Sequence, residues 1–200
     1  MKNLMKTLAV VALLATVGVW HAPSIMTTVG NTASYLSVYT KDIKNTEPLQ
    51  GKIHNVVLVT EGKNLNGSTF SSRSLMLMME YSKRNTIRAF FSHEWTGMSI
   101  DQTGAIGYYS NLRLVERGGK KFITGTLNIY AKHVFEPWYN ELLHQIHYLG
   151  GSGIGLSVVI SYDGAKTTGD HMEIRRWMSC DIVQNPAATE NLFNPLEYQE

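Results

Sequence analysis

The chain has one cysteine, Cys180, in 200 residues, so no intrachain disulfide can form and nothing ties it to an oxidising compartment. Metal-ligand spacing is also missing. The seven histidines are scattered, and His144 and His147 form only an i, i+3 pair, short of the four converging ligands of a structural zinc site. No metal and no cofactor are expected. Charge is sparse: 17% of residues are charged and the net charge is +2, which gives no case for a nucleic acid or an acidic polymer as partner. Long apolar runs are absent except near the start. There Met1-Lys2-Asn3-Leu4-Met5-Lys6 precedes an almost wholly apolar stretch, residues 7–20. That is the outline of a secretory leader, and it is too short for stable membrane insertion. Trp20-His21-Ala22-Pro23 lacks a small-x-small cleavage pattern. Two readings stay open for residues 1–22: a signal peptide, or an apolar helix that targets the chain to a partner.

What is present is ordinary globular material, 44% hydrophobic and long enough for one domain with a real core. No internal repeat is visible. Residues 23–50 are rich in Thr and Ser, with Asn and one Gly, and read as a flexible arm behind the apolar helix. The compact domain is expected at 51–186, with a polar tail at 187–200. Residues 53–60 are β-branched and predict a buried strand, and Asn66-Gly67 predicts a turn. Ser71 or Ser72 can cap a helix over 73–83, whose methionine-rich centre predicts deep packing. Strands follow at 86–91 and 105–115, then the Gly118-Gly119 hairpin turn and a strand at 121–129. Apolar residues at helical spacing predict a helix over 134–149, ended by Gly150-Gly151. Two more strands are expected at 154–161 and 172–183, the second stopped by Asn185-Pro186. The expected fold is α+β and mainly β: a closed or nearly closed barrel flanked by two or three helices.

Two separated segments could carry chemistry. Phe91-Ser92-His93-Glu94-Trp95 sets a histidine behind an apolar run, and Gly153-Ile154-Gly155-Leu156-Ser157-Val158-Val159-Ile160 sets one serine in a glycine-led strand. A serine hydroxyl becomes a nucleophile only with a base in hydrogen-bond reach and a third group to orient that base. Ser157 and His93 are the candidates for the first two roles. Ser157 is not in a nucleophile elbow, because Val159 stands where a second glycine is required. Glu94 would point away from His93 along an extended strand. Asp181, a carboxylate among apolar neighbours in the late strand, best fits the third role, with Glu173 in reserve. The Arg175-Arg176 pair and the glycine-rich backbone before Ser157 are both candidate oxyanion donors.

These segments, in this order, resemble the bacteriophage prohead (capsid maturation) serine proteases, whose fold is related to the herpesvirus assembly proteases. Val56-Val57-Leu58-Val59-Thr60-Glu61-Gly62 with Asn64-Leu65-Asn66-Gly67 is similar to the family's opening strand and turn. The run into His93, then Gly104-Ala105-Ile106-Gly107, is similar to its histidine region. Gly153 to Val158 is similar to the nucleophile strand, and Cys180-Asp181-Ile182-Val183-Gln184-Asn185-Pro186-Ala187-Ala188-Thr189 to the segment that closes the domain. Some members carry a glutamate in that closing strand, where this chain has Ser179 or Cys180.

The resemblance implies an assemblin-like barrel and a serine endopeptidase with Ser157 as nucleophile, His93 as base and Asp181 as orienting acid. It implies that scaffold protein and major capsid protein are the substrates, with self-cleavage and weak self-association. The place of action would be the assembling prohead in the host cytoplasm, with the secreted or periplasmic address as the minority reading. Two alternatives stand beside it: an inactive capsid or scaffold component of the same fold, and an exported β-rich binding protein.

Overall fold

In a computed structural model of the chain, the described residues are 44–91, 104–168, 171–184 and 186–196. All belong to the second of two compact units, Asp42–Glu200. His93 and Glu94 lie outside the described residues. So do residues 1–43, which include the expected signal peptide or targeting helix.

The strands are β1 (Thr46–Glu47), β2 (Lys52–Thr60), β3 (Gly62–Lys63), β4 (Thr69–Phe70), β5 (Arg88–Ala89), β6 (Gly107–Arg117), β7 (Lys120–Ile129), β8 (Ile154–Tyr162) and β9 (Ile174–Gln184). The helices are α1 (Ser72–Ser82) and α2 (Pro137–Leu149), with short 3-10 turns at Pro48–Gln50 and Ala131–His133. Seven strands form one mixed sheet in the order β1-β2-β7-β6-β5-β9-β8, and β3 pairs with β4 apart from it. Among the strands of the described residues, only β5 and β9 run parallel, in register at Arg88 and Ser179.

Local sequence explains most of these elements. Gly118 and Gly119 both take positive φ, 59° and 75°, which a two-residue hairpin between Arg117 and Lys120 requires. Ser71 caps α1 by accepting from the Ser74 N–H, and the Ser74 hydroxyl returns the contact to the Ser71 N–H. Leu75 and Met78 turn inward, whereas Met76 is exposed, so α1 packs on one face rather than all round. Pro137 opens α2 and Gly150, at φ 62°, closes it. Phe135 falls before the helix and stays exposed. Central β7 has apolar or threonine side chains buried over most of its length, as a strand covered on both faces should.

The expected closed barrel is not found: the sheet is open, and β8 does not pair with β2. The chain after β9 explains why. Past β1, the outer edge of β2 is occupied by that segment, with the Val57 N–H donating to Leu192 O (2.9 Å) and the Thr60 N–H to Ala188 O (3.1 Å). Leu65 N–H donates to Ala187 O. Ala188, Thr189, Leu192 and Leu196 are buried, so this stretch, read from sequence as a polar tail, is part of the core. A strand edge whose donors are taken by such a segment cannot also pair with the far end of the sheet.

Gly155 marks the same junction. A Cβ there would sit 2.4 Å from Pro186 Cγ and 2.7 Å from Thr189 Oγ1. Gly155→Ala should lower the unfolding free energy by about 1–3 kcal/mol, the usual cost of overpacking, measured by urea titration. An unchanged midpoint would show that Pro186 is not held against β8.

Candidate functional site

β8 and β9 pair antiparallel with Ser157 directly opposite Asp181. Directly opposed residues project to the same face, so the fold brings two of the three expected site residues together. Leu156 and Val158 stand opposite Ile182 and Cys180 on the other face, where Leu156, Ile182 and Cys180 are fully buried. Ser157 is half-buried and lines a hollow with Asn64, Asn66, Ser68, Phe70 and Met172.

Asp181 is half-buried, and its Oδ1 is fully buried without a hydrogen-bond partner among the described residues. Burial pushes the carboxyl above its usual range, and a hydrogen bond from Ser179 partly opposes that shift. The neighbouring Cys180 thiol is pushed well up, first by burial and then by the Asp181 charge, so it is a poor nucleophile.

The third expected member, His93, lies outside the described residues. The chain leading to it is described as far as Phe91. Phe91 forms a parallel bridge with Ile182, and the Ile182 N–H donates to Phe90 O (2.9 Å). The residue two places before His93 in sequence is therefore bonded beside the immediate neighbour of Asp181.

The reserve residue Glu173 is not brought to Ser157. It precedes Ile174, the first residue of β9, which pairs with Tyr162, five residues along β8 from Ser157 and about 17 Å away. Its carboxylate instead accepts from His171 Nε2 (2.8 Å) and lies 3.4 Å from Arg73 Nε. Of the candidate oxyanion arginines, Arg175 is held by Asp163 at 2.6 Å, and both Arg175 and Arg176 are exposed. His144 and His147 each contact the Tyr148 ring. Among the described residues, no group of three or more His, Cys, Asp or Glu could hold a metal ion, and no helix is long and apolar enough to cross a membrane.

Sequence reasoning missed a second hydrogen-bonded set at the start of α1. Ser71 Oγ lies 2.8 Å and Ser74 Oγ 3.2 Å from His171 Nδ1. The Ser74 hydroxyl proton goes to Met172 O (2.8 Å), so Ser71 is the donor to the imidazole. Because Glu173 accepts from Nε2–H, Nδ1 is left as the acceptor. The sequence signal was thin: Ser71 reads as a helix cap, and nothing local joins it to a residue 100 positions on.

No protein-family model matches the chain, and no solved structure matches it. The curated relatives include HPr kinase/phosphorylase from three strains of Streptococcus thermophilus, each 25% identical over 153 residues. The match covers 76% of this chain and 50% of each relative, so the chain spans about half the length of the curated relatives it matches. The similarity is distant, and it is to an enzyme whose name is that of a kinase and not of a peptidase.

The residues bear on that likeness. Gly150 to Ser157 has the phosphate-loop spacing G-x-x-x-x-G-K-[ST] except that Leu156 replaces the lysine. Such a loop leaves a strand and opens a helix, whose first N–H groups meet the phosphate. Here the order is reversed: Gly150 ends α2, β8 begins at Ile154, and Leu156 is buried in the core.

The His171 hydrogen bond, chiefly, holds the Glu173 carboxyl below its ordinary 4.5. A depressed acid adds stability that is fully present above its unfolded-state pKa and is lost as pH falls through the lower folded value. Glu173→Gln should therefore melt below wild type at pH 7. The gap should close as pH falls below 4.5 and then through the lower value at which wild-type Glu173 itself becomes protonated. Melting curves across that range test this, and a gap independent of pH would rule out the ionic contribution.

Proposed function

We propose that the chain is a serine endopeptidase of bacteriophage prohead maturation, with Ser157 as nucleophile, His93 as general base and Asp181 as the acid that orients His93. The observation that carries this reading is the buried, unpartnered Asp181 Oδ1 directly across from Ser157. A buried acceptor without a donor costs about 1–3 kcal/mol, and an imidazole N–H is the donor that a triad supplies. Phe91, two residues before His93, is bridged to Ile182 beside that carboxylate.

In this mechanism Ser157 Oγ attacks the scissile carbonyl as its proton passes to His93. His93 returns the proton to the leaving amine, and water then hydrolyses the acyl-enzyme with His93 again as base. The glycine-led backbone before Ser157 is the proposed source of oxyanion donors, since Arg175 is committed to Asp163 and Arg176 is exposed. The proposed substrates are scaffold protein and major capsid protein, cut inside the assembling prohead in the host cytoplasm, together with the chain itself.

A phosphotransferase reading takes its support from the name of the curated relatives. It is the weaker one for this segment, because Leu156 cannot supply a cation to a phosphate and the helix-to-strand order aims no helix N-terminus at one.

The test is co-expression of the wild-type chain, Ser157→Ala and His93→Ala with the capsid and scaffold proteins encoded beside it, followed by intact-mass analysis. Wild type should give discrete cleavage products. Both variants should remain folded and give none, a loss of at least about 1,000-fold. Identical masses in all three would reject the assignment and shift weight to an inactive structural role.

A further inference from the structure

We propose that Ser71, His171 and Glu173 form a second nucleophilic centre, with a nucleophile other than Ser157, that hydrolyses small acyl esters. Three observations on the geometry support it. Ser71 Oγ and Glu173 Oε2 each lie 2.8 Å from opposite nitrogens of one imidazole, the order of contacts that activates a hydroxyl. Glu173 fixes the tautomer, and the Ser74 hydroxyl spends its proton on Met172 O, so the proton facing His171 Nδ1 is that of Ser71. The imidazole and the carboxylate keep 20% and 19% of their side-chain surface, so the set is near solvent without being fully wet.

Ser71 Oγ accepts one hydrogen bond, from the Ser74 N–H (3.2 Å), and its other lone pair is available for attack. The N–H groups of Ser72 and Arg73, in the first turn of α1, have no intrahelical acceptor and are the candidate oxyanion donors. A comparable string, Thr126–His54–Glu47, is poorer. Its hydroxyl-to-imidazole contact is 3.3 Å, and Thr126 keeps only 6% of its surface, too little to meet a substrate.

The step balances within the set. Ser71 Oγ bonds to the acyl carbon while its proton moves to His171 Nδ1, the ester C–O bond breaks, and His171 protonates the departing alkoxide. Water then adds to acyl-Ser71, giving up its proton to His171. The acid leaves and the proton returns to Ser71 Oγ. Throughout, His171 Nε2–H stays bonded to Glu173. Among the described residues, the charged groups bonded to this set are Glu173 and Arg73, while Glu61 and Lys121 are bonded to the neighbouring Ser72 hydroxyl.

The test treats the full-length chain with a fluorophosphonate, maps the adduct by peptide mass, and follows p-nitrophenyl acetate hydrolysis against pH. The adduct is expected on Ser71. Ser71→Asp keeps a capping oxygen without a nucleophilic hydroxyl and should abolish it. His171→Gln should slow acetate hydrolysis at least 10-fold and flatten its dependence on pH. An adduct confined to Ser157, no serine adduct at all, or equal rates in His171→Gln overturns the proposal. The wild-type map decides even if a variant fails to fold. An adduct at Ser157 alone would leave the peptidase reading standing while rejecting this one.

Discussion

The register of β9 is the constraint on which the rest of the structure depends. β9 is bonded on both sides, parallel to β5 and antiparallel to β8. Its side chains alternate, so Cys180 and Ile182 enter the core while Asp181 projects to the opposite face beside Ser157. A slip of one residue would exchange the faces and drive a carboxylate into the core, at a cost no small domain tolerates. The Tyr109 hydroxyl, buried and donating to Cys180 O (2.9 Å), and Trp177 Nε1, donating to Ser179 O (3.0 Å), hold the strand at this position.

The second constraint is the management of sheet edges. An unpaired strand edge exposes donors and acceptors that need partners. Most of the outer edge of β2 is served by the segment after β9, whose Ala188, Thr189 and Leu192 are buried with it. Pro186 lies against Gly155 of β8 and so brings the two ends of the sheet near each other without strand pairing between them. The molecule thus remains an open sheet, and β8, the strand carrying Ser157, stays its terminal strand.

The candidate chemistry was legible only in part. Ser157 and Asp181 stand out in sequence as polar residues among apolar strand neighbours, and pairing of β8 with β9 sets them opposite each other. Glu173, which sequence reasoning held in reserve, serves a different histidine because it lies just before β9, at the end remote from Asp181. The phosphate-loop spacing at Gly150 to Ser157 illustrates the reverse hazard. The glycines are there because Gly150 must take positive φ to end a helix and Gly155 must let Pro186 approach, and neither role involves a phosphate.

By itself the sequence determined the elements. Apolar alternation specified the long strands, Gly118-Gly119 the hairpin, and Ser71 and Gly150 the ends of the two helices, because each of these rests on interactions spanning only a few residues. Only the tertiary structure decided that the sheet stays open, that residues 187–196 belong to the core, and that Ser71 shares a histidine with Glu173. Those outcomes depend on hydrogen bonds between residues about 100 or more positions apart. No local pattern encodes such pairings, because they are selected by what the packed core leaves unsatisfied.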